Sequence, residues 1–176
     1  MGPARLEEEE GGFAVVIPID EGPRTLLFRL AIEGNELIPT REIAELSKLR
    51  EGMPWSRGAL ETARKRILEA YAEKGHIFAS VDGRVELSAD RTRARVTLEI
   101  RERFPVRVGE VVIEGMTRTD ESLVRALLLV KPGEIFRPSL ARRTQDRLMA
   151  LGVFRSVSVT VQHPELPERV KTVEVR

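Results

Sequence analysis

The sequence contains an internal repeat, which limits the folds open to the chain more than any other feature. Ala-Ile-Glu-Gly, ending at Gly34, recurs as Val-Ile-Glu-Gly ending at Gly115, a shift of 81 residues (115 − 34). Further positions match at this shift: Leu46 with Leu127, Gly52 with Gly133, Trp55 with Phe136 and Ile67 with Leu148. Beyond them Gly75 matches Gly152, a shift of 77 (152 − 75). The loss of about one helical turn shortens a helix without rotating its apolar face. The sequence therefore predicts two tandem copies of one module.

Each copy begins with a strand and a helix. Strands are predicted over residues 25–33 and 106–114, because both segments are rich in β-forming residues and end at glycine. The first helix of copy one is predicted to begin near Thr40, and Thr119 or Asp120 can cap its counterpart. Both helices are predicted to stop at the glycines Gly52 and Gly133.

Each copy then continues with a second helix and a hairpin. Ser56 can cap one of these helices, and Pro138 fits the first turn of the other. Apolar residues form a stripe on each: Leu60, Ala63, Ile67 and Tyr71 in the first copy, and Leu140, Leu148 and Leu151 in the second. Two runs of alternating apolar residues complete each copy. The fold class is therefore α+β: two tandem β-α-α-β-β modules, each a three-stranded mixed sheet with two antiparallel helices on one face.

The segment before the first copy is in phase with the repeat. Ile19-Asp20-Glu21 lies 81 residues (100 − 19) before Ile100-Arg101-Glu102, so residues 13–19 match the last strand of a preceding, truncated module. The predicted domains are residues 1–22, 23–104 and 105–176. A lone strand cannot bury its apolar face, so we expect this one to pack against copy one or a neighbouring molecule. The acidic run at residues 7–10 is predicted to be a solvated turn.

Composition and motifs argue against several classes of protein. The net charge is +1, from 29 basic and 28 acidic residues, so no strong field attracts nucleic acid or anionic lipid. There is no cysteine, which excludes disulfides and thiolate metal sites. His76 and His163 have no partners at metal-ligand spacing, and Asp120-Glu121 is explained as the start of a helix. The sequence predicts a protein that is not an enzyme and holds no cofactor or metal.

The repeated pattern resembles the POTRA (polypeptide-transport-associated) domains of outer-membrane β-barrel assembly proteins of the BamA and TamA type. The resemblance covers nearly the whole chain. Its motifs are Ile-Glu-Gly at 32–34 and 113–115, Leu-Val-Lys-Pro-Gly at 129–133, and the Lys-Gly and Leu-Gly-x-Phe helix exits at 74–75 and 151–154. Asp20-Glu21-Gly22-Pro23 and Arg101-Glu102-Arg103-Phe104 match the acidic junction between modules.

The resemblance implies a location and a set of partners. Such modules lie in the periplasm, at the periplasmic face of the outer membrane, ahead of a membrane barrel that this chain lacks. They receive unfolded outer-membrane proteins and accessory lipoproteins. In this family the first two strands of each module are sheet edges and the third strand is central.

Sheet edges also suggest a binding role on physical grounds. An edge strand carries unpaired N–H and C=O groups to which an extended client can add as a further strand. The candidate edge residues are Ala79, Val81, Val85 and Leu87 in the first copy, and Val157, Val159 and Val161 in the second. The candidate inter-module hinge comprises Arg101, Glu102, Arg103, Phe104 and Pro105. A link this short favours a semi-rigid arm.

Other functions remain open at this point. The same modules serve in transporters of two-partner secretion systems and, usually singly, in cell-division proteins. A different class, tandem RNA-binding α/β modules, is suggested by the basic runs at residues 64–66 and 142–143. Aromatic residues are only 5% of the chain, however, and no strand carries paired stacking aromatics. The basic residues also alternate with acidic ones, as on a solvated helix face.

Overall fold

A computed structural model describes residues 5–9, 12–17, 24–116 and 120–176. The predicted cap at Thr119, the last residue of the acidic run, Glu10, and the predicted junction at residues 20–23 lie outside these residues. A short hairpin, β1 (Arg5–Glu9) and β2 (Gly12–Val16), precedes two modules. The first module contains β3 (Leu26–Glu33), α1 (Thr40–Ser47), α2 (Arg57–Glu73), β4 (Ser80–Leu87) and β5 (Arg93–Arg101). The second contains β6 (Arg107–Ile113), α3 (Glu121–Leu127), α4 (Pro138–Met149), β7 (Val159–Val161) and β8 (Val170–Val175).

Both modules have the same sheet topology. The strand orders are β3-β5-β4 and β6-β8-β7, so the last strand of each module is central and the first two are edges. The first strand runs parallel to the central strand, and the second runs antiparallel to it. The predicted α+β class and the order of elements are therefore confirmed. None of the helices among the described residues is both long enough and apolar enough to cross a lipid bilayer.

Each sheet buries its apolar face beneath its own two helices. In the first module the central strand contributes Ala94, Val96, Leu98 and Ile100, all 4% exposed or less. The predicted stripe on α2, comprising Leu60, Ala63, Ile67 and Tyr71, is buried against them. In the second module Val173 and Val175 of β8 pack with Leu148 of α4. Each module thus has its own core.

The helices start where the sequence predicts, but α1 and α3 end earlier than predicted. The Ser56 side chain accepts a hydrogen bond from the Ala59 N–H, and that of Asp120 accepts one from Ser122, so both predicted caps are confirmed. α1 and α3, however, end at Ser47 and Leu127, before Gly52 and Gly133. The two glycines have φ angles of +87° and +84° and lie in turns of the connector that follows. A glycine that ends a helix and a glycine in a turn of a connector can both adopt a positive φ, so the sequence alone could not distinguish the two.

Two further expectations are wrong in detail. Leu151 was expected to face inward, but it follows the end of α4 and is 38% exposed, because the helix ends at Met149. The acidic run was expected to be a turn, yet Glu7, Glu8 and Glu9 lie in β1, paired antiparallel with β2.

The side chains that the structure describes in the N-terminal strand do not show the predicted packing against the first module. Val15, Val16 and Ile17 are 61%, 40% and 53% exposed, and the paired partner of β2 is β1. Pairing within a local hairpin satisfies the backbone of the strand without burying these side chains. Its burial against a neighbouring molecule stays a prediction.

Candidate functional site

The outer edge of the first strand is partly covered in both modules. The connector between the two helices runs beside it, so that Gly52 N–H donates to Leu27 O (2.7 Å) and Leu27 N–H donates to Met53 O (2.8 Å). The second module repeats this arrangement, with Gly133 N–H donating to Val108 O (2.7 Å). The turn glycines described above, Gly52 and Gly133, each provide one of these donors. The second strand of each module is therefore the edge that its own chain leaves more open.

The free edge of β4 is formed by the backbone of its odd-numbered residues. Ser88 N–H donates to Arg93 O (2.9 Å), which continues the pairing of even-numbered residues with β5. In an antiparallel ladder each residue directs its N–H and C=O to the same side, and successive residues alternate. Val81, Gly83 and Val85 therefore direct their backbone groups away from β5.

The free edge of β7 has the same parity. Ser158 and Arg176 exchange two N–H···O bonds of 2.7 and 3.0 Å, and Gln162 N–H donates to Thr172 O (2.9 Å). These residues face β8 and use its hydrogen-bonding groups. Val159 and Val161 consequently direct their backbone groups outward.

Val81 and Val159 present their backbone groups, and not their side chains, at the edges. Val81 is 1% exposed and Val159 is 8% exposed, because both side chains belong to the cores, whereas Leu87 is 47% exposed. Ala79 precedes β4, and its N–H donates to His76 O (3.0 Å), so it provides no free donor. Val157 is also buried and precedes β7. Any partner of these edges would meet main-chain groups first.

A groove runs between each free edge and the neighbouring helix. In the second module a cavity of about 380 Å³ separates α4 from β7, and its lining includes Phe136, Pro138, Gln145, Val161 and Pro164. In the first module a cavity of about 420 Å³ between α2 and β4 is lined by Trp55, Arg57, Leu60, Glu61, Gly83 and Val85. Among the described residues, Trp55 Nε1 is the buried side-chain polar atom that has no hydrogen-bond partner. The grooves are amphipathic, which suits a segment of alternating apolar and polar residues.

Arg64 distinguishes the β4 edge from the β7 edge. Its Nε donates to Val81 O at 2.6 Å, and its Nη1 lies 3.0 and 3.1 Å from the two carboxylate oxygens of Glu61. Lys65 Nζ lies 4.0 Å from Glu69 Oε1. These members of the basic run are therefore paired with acidic neighbours, as the alternation of charges predicted.

Glu102 attaches the inter-module connection to the first module. Its Oε1 accepts hydrogen bonds from Tyr71 Oη (2.7 Å), Leu37 N–H (2.8 Å) and Glu36 N–H (2.7 Å). Burial alone would raise the pKa of the Glu102 carboxyl, but these bonds hold it below its ordinary value. Burial, together with the bond to this carboxylate, raises the pKa of the Tyr71 hydroxyl, which therefore stays a donor at neutral pH.

The loop after α2 packs against the same connection. His76 is 9% exposed, and its Nδ1 lies 2.9 Å from Glu102 O; because a carbonyl oxygen only accepts, Nδ1 carries the proton in this contact. Gly75 O accepts from Val106 N–H (2.9 Å), and the rings of Phe78 and Phe104 meet edge to face at 6.2 Å. His76 thus helps to fix the connection between the modules through its hydrogen bond to Glu102 O.

Glu73 of the first module caps a helix of the second. Its Oε1 accepts from Ser139 N–H (2.8 Å), and its Oε2 accepts from the Ser139 hydroxyl. The N-cap residue of α4 itself, Arg137, makes no side-chain capping bond. A carboxylate at a helix N-terminus binds free N–H groups and opposes the positive end of the helix dipole. The two modules are therefore joined by a cap that crosses between them.

Replacing Glu73 with alanine is expected to lower the free energy of unfolding of the second module by about 1 kcal/mol, the usual value of a helix cap. It should also widen the range of angles between the modules. The chain has no cysteine, so spin labels attached through the substitutions Arg66→Cys and Arg142→Cys would report the distance distribution between the modules. Glu69→Ala, one turn earlier on α2 and paired with Lys65, is the matched control. An equal distribution in the two variants would contradict the role of the cap.

The five candidate hinge residues alternate in exposure: Glu102 and Phe104 are half-buried, whereas Arg101, Arg103 and Pro105 are exposed. Arg101 ends β5 and pairs with Asp82 (3.2 Å), Arg103 has a φ of +55°, and Arg169 of the second module lies 4.7 Å from the ring centre of Phe104. Sequence reasoning found these positions from the junction motif and missed their partners. Glu73 and Ser139 show no local signal for their roles, because their contact depends on how two modules meet. The contact of Tyr71 with Glu102 joins residues 31 positions apart within the first module, which a local pattern does not reveal either.

The described residues do not bring together the side chains that hold a metal ion. They contain no cluster of three or more His, Asp or Glu side chains able to hold a metal ion. What the geometry offers chemically is main-chain hydrogen bonding along two edges.

Known proteins share this organisation. The family model for POTRA, described as surface antigen variable number repeat, matches residues 29–103 and 106–176. The outer membrane protein assembly factor BamA of Nitratidesulfovibrio vulgaris is 28% identical over 179 residues, covering 97% of this chain and 22% of its own length. BamA of Neorickettsia risticii is 26% identical over 153 residues, covering 86% of this chain and 21% of its own length. The chain spans about a fifth of the length of these curated relatives.

Solved structures show the same fold. A crystal structure of Haemophilus influenzae BamA POTRA3-5 superposes with a TM-score of 0.73 at 21% identity, covering 98% of this chain and 68% of the other. BamA from Haemophilus ducreyi lacking POTRA domains 1-3 gives a TM-score of 0.68 at 15% identity, covering 86% of this chain and 28% of the other. At these identities the likeness concerns the fold of two consecutive modules.

Proposed function

The chain belongs to the POTRA family, and from that premise we propose that its modules form part of the periplasmic arm of an outer-membrane β-barrel assembly protein. In this role they bind unfolded outer-membrane proteins and accessory lipoproteins at the periplasmic face of the outer membrane. The proposal is supported by the curated relatives, which are outer membrane protein assembly factors. The strand β2 would be the last strand of a preceding module, because residues 13–19 are in phase with the repeat.

The observation that carries the binding role is the open backbone of β4 and β7 beside amphipathic grooves. Strand addition takes its affinity from main-chain hydrogen bonds and leaves side-chain selectivity mild. A receptor for many different unfolded barrels needs this property, because their strands share an alternating pattern and not a sequence. The connection between the modules would keep the two edges at a limited range of angles, as a semi-rigid arm does.

Proline at position 161 tests this mechanism. Val161 directs its N–H outward, so Val161→Pro removes an edge donor without breaking a bond to β8. We expect it to weaken binding of an alternating Val-Thr peptide about tenfold, which corresponds to about 1.4 kcal/mol. Isothermal titration would measure the affinity, and circular dichroism would verify the fold.

Val161→Ala is the matched control, since it truncates the same side chain and keeps the N–H. If the alanine and proline variants bind the peptide equally well, strand addition at β7 is wrong. A peptide methylated on alternate backbone nitrogens provides the same test from the side of the ligand: its affinity should fall in one methylation register and persist in the other.

A further inference from the structure

We propose that Arg64 closes the β4 edge, so that β7 is the first acceptor of an extended client and β4 accepts one only when Arg64 is displaced. This inference rests on the proposed strand-addition function and specifies how the two modules share it. Arg64 would be a specificity-determining residue that controls which of the two edges is used.

The position of the guanidinium carries the inference. A strand added along the whole of β4 would use the outward C=O of Val81 as an acceptor, and Arg64 Nε already donates to that oxygen at 2.6 Å. The side chain of Arg64 is 32% exposed and therefore partly shielded from solvent. A hydrogen bond from a charged donor is stronger than the neutral N–H···O bond that a client would offer in exchange.

Glu61 holds Arg64 in this position. Its two carboxylate oxygens lie 3.0 and 3.1 Å from Arg64 Nη1, one turn away on α2. The guanidinium also lies between two stretches of groove beside β4. One is the stretch with Gly83 and Val85, and the other is lined by Arg64 itself together with Leu68 and Ala79. A strand lying along β4 would have to pass the guanidinium.

Among the described residues, the β7 edge has no counterpart of Arg64. At the repeat spacing of 81 residues, Arg64 corresponds to Gln145, which lines the groove beside Val159 and Val161. Among the contacts of the described residues, no side chain donates to the outward carbonyls of β7. The lengths of the strands explain the difference: β4 is an eight-residue edge, and β7 has three residues. Long free edges invite uncontrolled pairing, and charged side chains commonly block them.

Arg64→Ala tests the proposal, with Arg66→Ala, on the same helix but exposed, as the control. The alternating Val-Thr peptide is added to each protein, and amide hydrogen exchange is followed by NMR at Gly83 and Val85 and at Val159 and Val161. In the natural sequence and in Arg66→Ala we expect protection at β7 alone. In Arg64→Ala we expect protection at β4 as well, with an apparent affinity there at least about tenfold higher than in the natural sequence.

Each outcome has a definite meaning. The proposal that Arg64 blocks β4 is supported if peptide protection at β4, or self-association through β4, appears only in Arg64→Ala. Two results would show that Arg64 does not block β4: protection of β4 in the natural sequence, or no protection of β4 in Arg64→Ala while β7 is protected. Either result would still agree with strand addition as the mode of binding. No protection at either edge in any of the proteins overturns both proposals. Thermal unfolding of each variant shows whether the fold is kept, and Arg64→Gln supplies a second, less disruptive variant that lacks the charge.

Discussion

Gly34→Ala is expected to destabilise the first module by about 3–4 kcal/mol, the largest effect of a single methyl group that we predict for this chain. Gly34 has a φ of +79°, and a Cβ at this position would meet the carbonyl oxygen of Ile100 closer than any real contact. That oxygen belongs to the central strand β5 and cannot move aside as a flexible side chain can. Both the left-handed backbone and the clash therefore oppose the substitution.

The repeat provides the control. Gly115 has the same φ of +79°, yet a Cβ there would meet no atom of the described residues within 4 Å. Gly115→Ala should thus cost only the backbone strain, about 1–2 kcal/mol. Urea unfolding followed by far-ultraviolet circular dichroism would compare the two, and Trp55, the single tryptophan, would report the first module separately. Equal losses of stability in the two variants would show that a clash with the Ile100 carbonyl oxygen does not contribute.

Glu102→Ala is expected to destabilise the first module by about 2–3 kcal/mol. It would leave the hydroxyl of Tyr71, a residue with no exposed surface, without its acceptor, and an unsatisfied buried donor is costly. The N–H groups of Glu36 and Leu37 would lose the same acceptor, but they lie nearer to solvent, which can replace it. Glu99→Ala is the control, because its ion pair with Arg84 (2.7 Å) lies on the outer face of the sheet and should be worth under about 1 kcal/mol.

A double-mutant cycle with Tyr71→Phe identifies the cause. If the unsatisfied hydroxyl is responsible, Tyr71→Phe should cost much less in the Glu102→Ala background than in the natural sequence. Additive effects would argue that Glu102 acts through some other contact.

The stability contributed by Glu102 should also depend on pH. Its pKa is lower in the folded protein than in the unfolded chain, so the contribution is complete above the unfolded value of about 4.3. It declines as the pH falls through the folded-state pKa. The difference in stability between the natural sequence and Glu102→Ala should therefore narrow as the pH is lowered from 7 towards 3. A constant difference between the two proteins would exclude this linkage.

The sequence predicted whatever depends on order and periodicity within one module. The stripe from Leu60 to Tyr71 and the alternation from Ala94 to Ile100 each follow from the geometry of a single element, and both are buried as expected. Gly52 was misassigned because a glycine that ends a helix and one that turns a connector carry the same local signal.

The contacts between modules could not be predicted in this way. Glu73 and Ser139 are 66 residues apart and meet only because one module docks on the other. The direction of the backbone groups along the two edge strands could not be predicted from the sequence pattern either. The candidate valines were chosen for their apolar alternation, which indicates side chains that face the core. The same alternation places their backbone groups on the free edge, a consequence of ladder geometry that the side-chain pattern does not express.

The cap donated by Glu73 links the folding of the two modules. α4 lacks a side-chain cap of its own, so part of the stability of the second module exists only while the end of α2 is formed. In a linear array of repeats such a nearest-neighbour term makes the unfolding of adjacent units cooperative. Because α2 emerges first during synthesis, the completed first module can serve as a template on which α4 starts to form.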